Sequence, residues 1–194
     1  MRSPFPLILL MDSMVMSKID ELLEAYRAQV SLQWDEMLSG QEKVWFCVYD
    51  PSYERRIRTR LGEFKIVTVQ SGHTWQQVDI TGLFEKWLTE NEYCEDYFAD
   101  PSLLRYDLDD FTACLADHLA ERVGSAENST VVAVIGIGSL YGIVRASAVI
   151  DRLVRSTDIP GRLMFFFPGD RDRRNYRLLK ARDGWNYLAT PIEA

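Results

Sequence analysis

Five residues in this sequence stand where a ligand could be held: Asp50, Asp79, Gly136, Gly138 and Ser139. Each lies at the end of an apolar or alternating run that reads as a strand: Val44–Tyr49, Trp75–Ile80 and Val131–Ile135. A fourth run, Leu163–Phe167, ends at Pro168-Gly169-Asp170. In an open parallel sheet ligands bind beyond the carboxyl ends of the strands, so these residues form a candidate ligand edge. The same residue types also serve purely structural ends. Asp50 and Ser139 are good helix caps, and tight turns need glycine. Both readings fit the residues.

The known motifs narrow the chemistry. Gly136, Gly138 and Gly142 form GxGxxxG rather than the dinucleotide fingerprint GxGxxG, and no glycine is followed by lysine, so a phosphate-cradling loop with its lysine is absent. A nucleotide could still rest on a helix N-terminus after Gly138. Ser139 lies between Gly138 and Leu140, which is not the GxSxG nucleophile elbow. Asp107, Asp109 and Asp110 could bind a cation, or open a helix by complementing its dipole. His73 and His118 lie on different segments, which argues against a histidine-based zinc site. Arg171, Arg173, Arg174 and Arg177, with Tyr176 among them, could meet phosphates or a partner's carboxylates, or form a solvated loop.

The elements that must position these groups are legible as alternating helices and strands. Ser17 with Asp20 reads as a capping box opening a helix whose apolar face runs Ile19, Leu22, Leu23, Tyr26, Val30, Trp34 and Met37, ending at Gly40. Asp50-Pro51 starts a second helix. The stretch 63–70 is ambiguous, because Arg55–Leu61 is helical while Phe64–Val69 favours strand. A helix is expected over Thr81–Glu90, a polar connection over Asn91–Tyr106 and a helix over Phe111–Val123. The run Val131–Ile135, its glycines and the helically spaced Leu140, Ile143, Val144, Ile150, Leu153 and Val154 make a strand–turn–helix unit. Pro168-Gly169-Asp170 is expected to break the next strand, and Trp185–Ala189 to form a last edge strand. The fold class is therefore α/β: a single domain in three layers with a mostly parallel sheet.

Composition bounds the partners. The chain has 22 basic and 29 acidic residues, a formal charge of −7, which argues against a dedicated nucleic-acid binder. The charge is polarised. Glu85–Glu127 holds twelve acids and three bases, and Asp170–Asp183 holds six bases and three acids. Such polarity suits electrostatic docking to another protein, or simply a solvated helix face. Cys47, Cys94 and Cys114 are odd in number and lack CxxC spacing, which predicts reduced thiols in a cytoplasmic protein. No apolar run reaches transmembrane length. Residues 1–16 differ in character from the rest and are expected to be a non-native or disordered extension ahead of a domain spanning 17–194.

Several blocks together resemble the BrxB family. They are Ile19–Tyr26, Val44–Pro51, Gly72-His73-Thr74-Trp75, Val78-Asp79-Ile80-Thr81, Phe165–Gly169, Asn175–Leu179 and Asp183–Ala189. The resemblance implies a place in a BREX, or bacteriophage-exclusion, system beside a BrxC-like ATPase, a PglX-like methyltransferase and a PglZ-like protein. It carries no catalytic residues, cofactor or metal over to this chain. The strand–helix order also resembles a P-loop NTPase core without its Walker motifs. The expected function is a non-catalytic assembly or adaptor subunit docking on the PglZ-like or BrxC-like partner through Arg171, Arg173, Arg174 and Arg177. Two alternatives are a regulatory protein binding a nucleotide or phosphate at the sheet edge, and DNA contact through Arg171–Arg182. Direct DNA binding and membrane association are not expected.

Overall fold

Strand β1 (Val44–Tyr49) is buried along its whole length, and the sheet is built around it and β4 (Arg162–Asp172). The computed structural model describes residues 16–194, so the expectation for the N-terminal extension falls almost wholly outside them. β2 (Thr74–Asp79), β3 (Thr130–Ile135), β4, β1 and β7 (Thr190–Ile192) lie side by side in that order, and every neighbouring pair is parallel. β5 (Asn175–Leu178) and β6 (Trp185–Asn186) extend the end of β4 as antiparallel strands. The protein is thus α/β with a mostly parallel sheet.

Alternation along the strands divides the core between the two faces. Val44, Phe46, Val48, Val132, Val134, Phe165 and Phe167 pack with residues of α5 (Leu108–Gly124) and α6 (Ala146–Ser156). Trp45, Cys47, Val131, Ala133, Met164 and Phe166 pack with α1 (Lys18–Val30) and α2 (Glu54–Gln70). The capping box expected at Ser17 and Asp20 is present and opens α1.

Four local expectations differ from the structure, and one ambiguous stretch is resolved. First, α1 stops at Val30, one turn before Trp34. Trp34 instead stacks flat on His73, with centroids 3.7 Å apart, and the buried guanidinium of Arg162 lies 4.7 Å over its ring. Arg162 also donates to the carbonyls of Gly161 and Asp35, so Trp34 serves the α1–β1 connection rather than a helix face. Met37 is almost wholly exposed.

Second, residues 63–70 are helical, completing α2. Ile57, Leu61, Phe64 and Thr68 keep helical spacing toward the core, and Thr68 bonds to the buried Tyr26 hydroxyl at 2.5 Å. The strand-like character came from Ile66 and Val69, which face solvent.

Third, the polar stretch after α3 (Leu83–Glu90) contains α4 (Cys94–Ala99) and a 3-10 segment, Pro101–Tyr106, capped by Asp100. Fourth, Pro168-Gly169-Asp170 does not break β4. Pro168 lacks a donor at the point where β4 passes from pairing with β1 to pairing with β5, and its carbonyl accepts from Leu179 N at 2.8 Å. Fifth, only Trp185–Asn186 of the expected last strand pairs, and the parallel edge strand is β7.

Candidate functional site

At the carboxyl edge the side chains bind one another. Asp79 ends β2, and its Oδ1 accepts from Thr81 N at 2.9 Å and Thr81 Oγ1 at 2.5 Å. Its Oδ2 accepts from Arg58 Nη1 at 3.2 Å, and Arg58 also donates to Thr81 Oγ1 at 2.7 Å and to Glu54 Oε1 at 2.7 Å. The second Glu54 oxygen accepts the Tyr49 hydroxyl. One network therefore runs from the end of β1, through the first turns of α2, to the end of β2. Partial burial opposes the charge on Asp79, but the Thr81 bonds and the Arg58 charge outweigh it and hold the carboxyl below its usual range. Burial, then the bond to Glu54, push the Tyr49 phenol far up.

The glycine turn closes onto this network. Gly136 has φ +90°, and a Cβ there would lie 2.3 Å from Thr81 Oγ1 and 3.0 Å from Asp79 Oδ1. Ser139 does not cap a helix: its Oγ and its N–H both donate to the Gly136 carbonyl, at 2.8 and 2.9 Å, tying a 3-10 turn, Ile137–Leu140. Helix α6 begins only at Ala146, so no helix N-terminus follows Gly138 as the strand–turn–helix reading expected. The extra turn lets Ile137 and Leu140 enter the core. Gly138 is covered, since a Cβ would meet Pro168 at 3.2 Å and Leu179 at 3.9 Å.

Asp50 stands apart, with β3 and β4 between β1 and β2. Its Oδ1 accepts from Ser52 N and Oγ at 2.8 and 2.5 Å, and these bonds lower its pKa. The five residues of the expected ligand edge thus fall into two groups. A cleft of about 300 Å³ does open beside Asp50, lined also by Lys18, Asp170, Arg171 and Glu193. Both of its cations are already paired, Lys18 with Glu21 at 2.6 Å and Arg171 with Glu193. Among the described residues no three His, Cys, Asp or Glu side chains gather as a metal site.

The four arginines expected to dock a partner also divide. Arg171 makes a two-point contact with Glu193 and donates to the Arg173 carbonyl at 2.5 Å. Arg177 Nε donates to Asp170 Oδ1 at 2.8 Å. Arg173 and Arg174 occupy the exposed turn between β4 and β5, where Arg173 adopts φ +56°. That turn has a firm base, because Tyr176 is buried with its ring centroid 4.6 Å from that of Phe46.

Tyr49, Glu54, Arg58 and Thr81 were not singled out from the sequence as site residues. Two signals for them were present: the helical i, i+4 pair Glu54/Arg58, and Asp79-x-Thr81, the pattern of an aspartate-closed turn.

The arrangement defines an α/β protein in which polar side chains tie strand ends and turns together at the carboxyl edge of the sheet. A family model described as "BREX protein BrxB" matches residues 77–192, more than half of the chain, and the chain belongs to the BrxB family. It is thereby a component of a BREX phage-defence system. No curated protein and no solved structure matches it.

Proposed function

We propose that this chain is a non-catalytic assembly subunit of its BREX complex, docking on a PglZ-like or BrxC-like partner in a complex that includes a PglX-like methyltransferase. The observation that carries this reading is the bonding at the carboxyl edge. There Asp79, Ser139 and Asp50 each hold a turn of their own chain and Arg58 joins two strand ends, so these polar groups serve as framework. The likeness to a P-loop NTPase core belongs to the same proposal, as a sheet that works as a scaffold without a phosphate lysine. Docking uses the exposed Arg173 and Arg174, held on a packed hairpin in a chain of net charge −7. The free thiols of Cys47, Cys94 and Cys114 suit a complex in a reducing cytoplasm.

Co-expression with the neighbouring BREX proteins tests this. A tag on this chain should recover the PglZ-like or the BrxC-like protein through purification. Recovery of neither contradicts the proposal.

A further inference from the structure

The short lobe between α3 and α5 has an unusual surface. It is anchored by Tyr97, which is 3% exposed, donates its hydroxyl to Asp107 Oδ2 at 2.7 Å and stacks on Trp87 with ring centroids 6.4 Å apart. Trp87 in turn packs on Phe111 of α5, so the lobe is fixed to the core. Several of its outward side chains are nevertheless apolar: Tyr93 is 52% exposed, Phe98 66%, Leu103 37% and Tyr106 66%. Three of the four exposed aromatics among the described residues therefore belong to this one lobe, the other being Tyr141. Clustered exposed apolar groups mark interaction surfaces, and aromatics are enriched there.

Charge decides what this surface accepts. From Glu92 to Tyr106 there are four acids, Glu92, Glu95, Asp96 and Asp100, against Arg105, which lies 4.6 Å over its own neighbour Tyr106. None of those acids pairs with a base among the described residues. A concavity of about 370 Å³ beside Tyr93 and Tyr97 is walled by Glu90, Glu92, Asp107 and Asp110. Nucleic acid and acidic membrane are repelled by such a face. A protein surface that presents lysine or arginine around apolar groups satisfies both its charge and its aromatics.

We infer that the Glu92–Tyr106 lobe is a docking face for a basic protein surface of another component of the complex. This rests on the assembly reading and adds a second face, opposite in sign to the Arg173–Arg174 turn. An adaptor needs two faces, and opposite charges keep the two partners from exchanging places.

The test uses the complex purified through a tag on this chain and a carbodiimide, which joins carboxylates to amines without a spacer. Glu92, Glu95, Asp96 or Asp100 should be cross-linked to lysines of a partner chain. The variant Phe98→Ser/Tyr106→Ser, changed only at exposed positions, should keep its melting temperature and helicity. It should lose those cross-links and recover that partner at least about tenfold less well. The variant Glu92→Lys/Asp96→Lys should lose the partner as well. Equal recovery by the unsubstituted chain and both variants overturns the inference while leaving the assembly reading intact. Cross-links only to a second copy of this chain overturn it in favour of self-association. If the unsubstituted chain recovers no partner, the assembly reading itself fails, and this inference with it.

Discussion

Arg171 is turned back onto Glu193, just past strand β7: its Nε donates to Glu193 Oε2 at 3.1 Å while Nη2 holds the other carboxylate oxygen. A two-point contact of this kind fixes both side chains. It links the end of β4 to the residue that follows the edge strand β7, and it pulls Arg171 out of the solvent-facing set to which Arg173 and Arg174 belong.

The four arginines should therefore behave differently under charge reversal. Arg171→Glu places a carboxylate against Glu193 and should cost about 1–2 kcal/mol of stability, as a lowered urea midpoint. Arg173→Glu/Arg174→Glu touches only the exposed turn and should leave the midpoint within about 0.5 kcal/mol of the parent while reducing partner recovery. A partner lost on Arg171→Glu alone, at unchanged stability, would mean that Arg171 is itself presented to the partner.

Gly136 and Gly142 offer a second comparison, since both have positive φ but different surroundings. A methyl group at Gly136 collides with Thr81 Oγ1, whereas nothing lies within 4 Å of one at Gly142. Gly142→Ala should cost about 1–2 kcal/mol, the backbone penalty alone. Gly136→Ala should cost clearly more, about 3–4 kcal/mol, because it must also displace the Asp79–Thr81 turn. Urea unfolding of the two variants measures the difference, and equal losses would show that the turn yields easily.

Much of this framework was legible in the residues, and the failures have physical causes. β1, β3, α5 and the capping box could be read because their burial pattern or their caps are local, and β2 from its strand-like residues alone, since only Val78 of it is buried. The helix through residue 70 was ambiguous because exposed Ile66 and Val69 imitate a strand. The 3-10 turn after Gly136 was hidden because Leu140 and Ile143 keep helical spacing without a helix between them. The fate of the arginines was the least legible. Glu193 lies 22 positions from Arg171, and only the placement of β7 beside β1 brings them together. The Tyr49–Glu54–Arg58–Asp79–Thr81 network likewise depends on the sheet order.

His73 makes stability depend on pH. Burial lowers its pKa below the ordinary 6.5 and outweighs the opposing backbone hydrogen bonds, and the nearby Arg162 charge adds a smaller push in the same direction as burial. The unfolded chain then binds the proton more tightly than the folded one. Its contribution is complete above pH 6.5 and is lost as pH falls below that value toward the folded pKa. The urea midpoint should drop between about pH 7 and pH 5.5. His73→Phe, which retains a flat ring against Trp34, should show a smaller drop. An identical pH profile in the variant would assign the dependence to other groups.

The claim that this chain assembles its complex is tested most directly by leaving it out. The BREX proteins are expressed together, with a tag on the PglZ-like protein, in the presence and in the absence of this chain, and the recovered components are quantified. With the chain present, the other components should be recovered with the tagged protein. Without it, their recovery should fall by about tenfold or more and return when the chain is added back, the size expected when a docking subunit supplies at least about 1.4 kcal/mol of the association. Equal recovery of the same components with and without the chain would show that it does not hold the complex together.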